Sequence, residues 1–386
     1  MPKIIECIVR EIRIPFNAGF KHALASRRQT RSVVLEIVTD AGVHGYGEGT
    51  PRDYVTGESL PSTIDALNRT AAAMIGAGLP AADGIVAAMA DQISELPADL
   101  TGAPSARCAV ELALLDACGK TANLPLVDLL GSRQTAVVHY SGVVSDESID
   151  RTVAIVEAVS ALGLKQVKIK AGRDAAADAE KLKAIRDRLD PRVELRVDAN
   201  GAWELGEAVK RIDAYREAGV EIFEQPLPAG AREQYPHLCA AVGDPAGIIL
   251  DESICRLDDA RWFIENRGCG GFNLKISKHG GLTETLAIQR LAAASGLRVQ
   301  LGCHVGETSL LTAAGMAFAS LSTGLFACEG AFGTLLLTHD ITQRPLQFGP
   351  RGRVDLAAAT SASGLGVDVD PQLLASATAG KFRHRR

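Results

Sequence analysis

The chain has 386 residues, 47% of them apolar, and a net charge of −5. That length suits one large domain with a smaller one, and the charge, with no basic tract to recruit nucleic acid, excludes that partner class. The eight cysteines are scattered with no C-x-x-C pair, which excludes a disulfide framework or a zinc ribbon; no apolar run reaches the roughly 18–20 residues of a membrane span, and the charged first dozen residues lack a signal-peptide core, so a cytoplasmic protein is expected.

Residues 1–50 read as a small antiparallel meander. Ile4 to Ile14 alternates, Ser32 to Thr39 is a β-branched run, and Asp40-Ala41-Gly42 turns the chain into Val43 to Gly47. Residues 62–122 are alanine-rich and helical in period, broken at Gly78-Leu79-Pro80 and Gly102-Ala103-Pro104. Residues 1–125 are therefore expected to form an α+β module. From Val137 short apolar strands alternate with amphipathic helices, the strands predicted at 137–143, 164–170, 193–198, 219–224, 247–251, 271–275, 298–303 and 325–329. Eight strands at this spacing predict a TIM-type (β/α) barrel over 126–340 rather than an open doubly wound sheet. Residues 341–386 read as an irregular extension returning to the N-terminal module. Its basic end, Lys381 to Arg386, reads as solvated and frayed.

Three predicted barrel strands end on carboxylates: Asp198, Glu224 and Asp251, spaced by 26 and 27 residues. Asp198 alone reads equally as a helix cap, whereas Glu caps poorly. Jointly, three carboxylates at matched depth would repel one another without a cation. An all-oxygen set favours Mg²⁺ over Zn²⁺. Lys168 and Lys170 lie two apart on the preceding strand and share a face. With Val167 and Ile169 packing outward, that face is the barrel interior. Two adjacent ammonium groups disfavour each other's protonation, so one is expected to titrate nearer neutrality, as a general base requires. Lys275 ends the strand beyond Asp251 and is expected to face Lys170 across the site. Lys278 reads as a rim lysine.

The pattern resembles the enolase superfamily and, within it, the muconate lactonizing enzyme subgroup of mandelate racemase/muconate lactonizing enzyme-like proteins. The matching segments are KIKAG (168–172), RVDANGAW (196–203), FEQPL (223–227), DES (251–253), NLKISKHGG (273–281) and GLGVDVD (364–370). The resemblance implies a TIM-type barrel with an N-terminal α+β capping domain completed by the C-terminal segment. It implies that Asp198, Glu224 and Asp251 bind Mg²⁺, that Lys170 and Lys275 are the acid/base pair, and that Lys168 tunes Lys170. Asn200, Gln225 and Glu252, beside these groups in the same motifs, are expected to support them. The shared step would be removal of the proton α to a carboxylate to give a metal-stabilised enediolate.

Where the eighth strand of dipeptide epimerases in this family carries Asp-x-Asp to bind the substrate ammonium, Gly330 and Phe332 take those places. Glu329 is expected to point away from the face of Gly330. The run Phe332 to Leu337 looks more like the muconate-cyclising branch. A cycloisomerase is therefore the leading expectation, with racemisation or epimerisation of N-acyl amino acids, dipeptides or betaine-like compounds, or syn-dehydration, as alternatives. A non-catalytic relative is disfavoured because all three carboxylates and both lysines are present. His304, Glu307 and Glu329 are candidate substrate contacts from the barrel; Phe20, Lys21, Arg52 and Tyr54 are candidates from two loops of the capping module. The expected partner is a small carboxylate molecule, and a homo-oligomer is the expected assembly.

Overall fold

The computed structural model describes residues 1–22, 25–96, 100, 102–145, 148–172 and 174–385, with the side chains of residues 21, 22 and 25 outside the description. In the N-terminal part, strands Ile4–Ile12, Ser32–Thr39 and His44–Gly49 pair antiparallel in that order. The fourth member of this sheet is Thr378–Arg385, which pairs along Ile4–Ile12. The expectation of a frayed tail is thus corrected. The strand Ile4–Ile12 offers a free edge, and the tail covers it, with Arg383 and Arg385 reaching Glu6 at 2.9 and 2.7 Å. Edge pairing satisfies a row of backbone groups that an open edge would leave bare; the surface ion pairs add little.

Helices Leu60–Met74, Ile85–Ser94 and Pro104–Ala122 follow. Leu60–Met74 begins at Ser59, whose hydroxyl accepts from the Ser62 N–H, with Pro61 in the first turn. Pro104–Ala122 is buried on almost every side, which explains its lack of a polar face. It lies directly on the strand His44–Gly49. A Cβ added to Gly45, Gly47 or Gly49 would sit 2.3, 2.0 or 2.0 Å from the carbonyl oxygens of Ala113, Ala109 and Ser105. Two residues along a strand span about 6.6 Å and four along a helix about 6 Å, so glycine at every second strand position meets every fourth helix residue. The missing side chains let the two backbones touch.

The barrel follows. Gly142–Val144, Gln166–Lys170, Glu194–Asp198, Val220–Glu224, Ile248–Leu250, Gly271–Leu274, Arg298–Leu301 and Leu325–Cys328 form one eight-stranded sheet in chain order. The neighbouring pairs are parallel. Its two edges meet where Tyr140 bridges Cys328 and the Ser141 N–H donates to the Cys328 carbonyl at 2.8 Å. The ring is therefore closed as a TIM-type barrel. Helices sit between strands where the 3.6-residue period predicts them, including Ala175–Arg186, started by the Asp174 carboxylate on the Ala176 and Ala177 N–H groups, and Leu205–Glu217. Each predicted strand is found, shortened by a few residues. The first is split into Val137–His139, which pairs antiparallel with Arg353–Asp355, and Gly142–Val144. No described helix is long and apolar enough to cross a membrane.

The glycine-mediated contact makes a direct prediction. Gly47→Ala should lower unfolding free energy by about 1–3 kcal/mol through overpacking. Gly78→Ala, where an added Cβ meets nothing within 4 Å, should change it by less than about 0.5 kcal/mol. Urea unfolding of both variants, followed by circular dichroism, checks the contrast.

Candidate active site

Barrel strands alternate inward and outward. Lys170, Asp198 and Glu224 are register partners across three adjacent strands, so their side chains enter the mouth at one level. Asp251 and Lys275 stand just past the ends of the next two strands. All five are buried or nearly so. The lysines reach onto the carboxylates. Lys170 Nζ donates to Asp198 Oδ2 at 2.5 Å and to Asn200 Oδ1 at 3.0 Å. Lys168 Nζ lies 3.0 Å from Glu224, 2.6 Å from Glu329 and 3.5 Å from Asp198. Lys275 meets Asp251 Oδ2 at 2.5 Å.

Lys278 is not at the rim. It is fully buried and donates to Asp251 Oδ1 at 2.8 Å, to the Asp251 carbonyl at 2.7 Å and to the Asn273 carbonyl at 2.8 Å. The turn after Gly271–Leu274 folds it back beneath Asp251. Three acceptors compensate its charge, a placement that no local periodicity announces. Further groups escaped the sequence reading. Asn273 Nδ2 and Gln300 Nε2 donate to the two oxygens of Glu224 at 2.8 and 2.9 Å. Arg196 donates to Gln300 at 2.8 Å and Ser141 at 2.7 Å and pairs with Glu329 at 2.9 Å. A polar residue between apolar ones on a barrel strand, as in Val299-Gln300-Leu301 and Leu195-Arg196-Val197, was the available signal.

The electrostatics follow from these pairs. Burial opposes charge on Asp251, yet Lys275 and Lys278 hold its carboxyl well below the usual range. Burial likewise opposes charge on Asp198, and Lys170 and Lys168 outweigh it. Glu224 moves up, through burial and then through Asp198. Burial pulls the Lys168 ammonium down, but Glu224, Glu329 and Asp198 outweigh it and its pKa rises. Lys168 is therefore not the lysine brought toward neutrality by its neighbour. Lys275 also moves well up; burial opposes this, and Asp251 and Glu252 prevail.

A cavity of about 190 Å³ opens over these groups. Lys168, Lys170, Lys275, Asn200 and Glu252 form its polar floor; Phe20, Tyr54, Val305, Phe332, Leu335 and Leu336 form much of its apolar wall. The three carboxylates lie beneath the ammonium groups rather than on the cavity surface. Among the described residues no three Asp, Glu, His or Cys side chains are drawn together closely enough to enclose an ion as they stand. The lysines bridge them instead. The donor set itself is three buried carboxylates with oxygen atoms only, which suits a hard divalent cation.

The remaining candidates separate. His304 lines the cavity, as do Phe20, Tyr54, Asn200 and Glu252. The side chain of Lys21 lies outside the described residues. Arg52 does not reach the cavity: it is buried, and its guanidinium donates to the Pro51 and Val305 carbonyls, both at 2.7 Å. The bond to Val305 ties the cap to the loop after the seventh strand. Glu307 is also turned away from the cavity floor. Its Oε1 accepts from the His304 N–H at 2.6 Å, and burial raises its pKa to about 8. Glu329 faces inward, contrary to the expectation, because it continues the inward phase of Ala327 beyond the strand end. Its carboxylate is taken up by Lys168 and Arg196. Gln225 is buried behind Asp251, with Oε1 accepting from the Asp251 N–H at 2.9 Å.

Comparison with known proteins agrees with this architecture. The N-terminal domain profile of the mandelate racemase / muconate lactonizing enzyme family matches residues 4–131, and the Enolase C-terminal domain-like profile matches 151–373. The chain is 33% identical to the hydrophobic dipeptide epimerase of Enterococcus faecalis over 81% of this chain and 86% of that protein. The crystal structure of the dipeptide epimerase from that organism, in complex with Mg and L-Leu-L-Tyr, superposes with a TM-score of 0.84 at 29% identity, over 95% of this chain and 99% of that one. The N-succinyl Arg/Lys racemase of Bacillus cereus superposes with a TM-score of 0.89 at 25% identity, covering 99% of this chain and 100% of that one. Muconate cycloisomerase 1 of Acinetobacter baylyi is 27% identical over 97% of this chain and 98% of that protein. These relatives are all isomerases by name. Together with the closed barrel and its cap, these matches establish that the chain belongs to the mandelate racemase/muconate lactonizing enzyme family of the enolase superfamily.

Proposed function

We propose that this chain is a racemase or epimerase that inverts the α-carbon of an amino-acid-derived carboxylate. The observation that carries the reading is the placement of Lys170 and Lys275. They end the second and sixth strands of a closed eight-stranded ring, four positions apart, so they approach one cavity from opposite walls. Two opposed acid/base groups are what inversion at a tetrahedral carbon needs. The relatives named as epimerase and racemase support this reading over the cyclising reaction that the run Phe332 to Leu337 suggested.

Asp198, Glu224 and Asp251 would hold a Mg²⁺, the ion present in the E. faecalis complex. Bound there, it would draw off the negative charge that builds on the substrate carboxylate as the α-proton leaves. This chain's own side chains do the rest. One lysine enters as the free amine and takes the α-proton; the other enters as the ammonium and delivers a proton to the opposite face. For the other enantiomer the roles exchange. Asn200 Oδ1 holds Lys170 in place, and its Nδ2 is anchored by Glu252 at 2.9 Å. The apolar wall of Phe20, Tyr54, Phe332 and Leu336 excludes water from the reacting carbon.

The substrate's distal group would be uncharged. Phe332 is in the cavity wall, Gly330 offers no side chain, and Glu329 is already paired with two cations. A buried ammonium left without a partner costs several kcal/mol.

Two outcomes are expected. In D₂O with Mg²⁺, Lys170→Ala and Lys275→Ala should each lose racemisation by at least about 10²-fold, and each should retain α-deuterium exchange from a different enantiomer. Exchange of the same enantiomer by both variants sinks the two-wall geometry. In a substrate screen, kcat/KM for N-acyl amino acids should exceed that for unblocked alanyl dipeptides by about tenfold or more; efficient turnover of unblocked dipeptides contradicts the distal assignment.

A further inference from the structure

The imidazole of His304 stands at the junction of cap and barrel, in the wall of the catalytic cavity. Its Nδ1 lies 3.0 Å from the Thr50 carbonyl oxygen and 3.0 Å from Thr50 Oγ1. A carbonyl oxygen only accepts, so the nitrogen facing it carries the hydrogen. In the neutral ring the other nitrogen, Nε2, is then a bare acceptor. Burial, Arg52 and Lys275 all push the His304 pKa well below its usual value, which keeps the ring neutral. Nε2 is buried and has no hydrogen-bond partner among the described residues. His304 is only 4% exposed, so the group has been removed from solvent without a donor among the described residues to replace it. Val305, Phe332 and Leu336 beside it in the wall are apolar.

Thr50 is itself fixed. It is fully buried, and its N–H donates to Ser277 Oγ at 2.8 Å. The His304 backbone is fixed by Glu307 from the other side. The acceptor is therefore preset in position and in tautomer before any ligand arrives.

We propose that His304 is a specificity-determining residue whose Nε2 accepts a hydrogen bond from the amide N–H of the substrate. The proposal rests on the α-epimerase reading above. It narrows the substrate to acylated amino acids that keep a hydrogen on nitrogen. Molecules that present only acceptors there, such as hydroxy-acid esters or dicarboxylates, leave Nε2 unpaired and are discriminated against. A site built around a buried polar group rejects the analogue that cannot satisfy it far more strongly than an apolar site does.

The test compares an N-acyl amino acid with its 2-acyloxy-acid analogue, in which oxygen replaces the N–H. The readout is kcat/KM for α-deuterium exchange with Mg²⁺ in D₂O. The wild-type protein should favour the N-acyl compound by about tenfold or more. His304→Phe should bring that ratio to within about threefold by losing the N-acyl substrate alone, and His304→Gln, which keeps an acceptor oxygen, should restore part of it. The ratio between proteins cancels the intrinsic acidity of the two carbons. A second pair, an alanyl amino acid against its N-propanoyl counterpart, asks whether a free ammonium is the donor instead. Equal wild-type rates on the first pair overturn the proposal while leaving the epimerase reading intact. An unchanged ratio in His304→Phe also overturns it, as does an effect confined to the ammonium pair. Exchange of neither compound by wild type overturns the epimerase reading itself. Should His304→Phe fail to fold, the wild-type ratio and His304→Gln still decide.

Discussion

Three carboxylates buried at neighbouring strand ends cannot remain ionised without compensating charge. Around Asp198, Glu224 and Asp251 the fold places Lys168, Lys170, Lys275 and Lys278, each within ion-pair distance of at least one of them. Removing one partner from such a buried pair costs about 3–5 kcal/mol, so the arrangement is held collectively. The amides of Asn273 and Gln300 then saturate Glu224, and Arg196 closes the lattice on Glu329. In the proposed function, this network sets where a substrate carboxylate, a cation and two proton carriers would meet.

The cap completes the site through one strand with two different faces. Gly45, Gly47 and Gly49 let the helix Pro104–Ala122 lie against its backbone. The intervening phase carries Glu48 and, past the strand end, Thr50 and Arg52, all turned to the loop after the seventh barrel strand. Glu48 accepts from the Thr308 N–H and hydroxyl at 3.1 and 2.7 Å, Thr50 holds the His304 ring, and Arg52 donates to the Val305 carbonyl. Burial raises the Glu48 carboxyl to about 7, with the Thr308 hydroxyl pulling the other way. A period of two on one strand thus joins packing on one side to pocket construction on the other.

The barrel was legible because its signal is local and repeated. Apolar runs that stop at Asp198, Glu224 and Asp251 mark both strand ends and their inward phase. Lys168 and Lys170 were legible for the same reason. Lys278 was not, since it reaches Asp251 by way of a turn, and a turn carries no phase. Glu329 was not, since Gly330 and Phe332 lie beyond the strand end and Ala331 turns to a positive φ of 51°, so strand alternation does not carry through them. The terminal strand was hidden because its partners, Glu6 to Ile12, lie at the other end of the chain, and a short basic segment looks the same whether solvated or paired. Arg52 seemed available to a ligand because its carbonyl partner on Val305 lies on a distant segment. Long-range partners decide these cases, and local sequence does not name them.

Asp198, Glu224 and Asp251 are proposed to act together as one cation site beneath the two lysines. Calorimetric titration of the metal-stripped protein with Mg²⁺ tests it most directly. A single site is expected in the wild-type protein, weakened at least about tenfold in each of Asp198→Asn, Glu224→Gln and Asp251→Asn, with each variant confirmed as folded. Wild-type protein that takes up no Mg²⁺, or three variants that bind it as the wild type does, would contradict it.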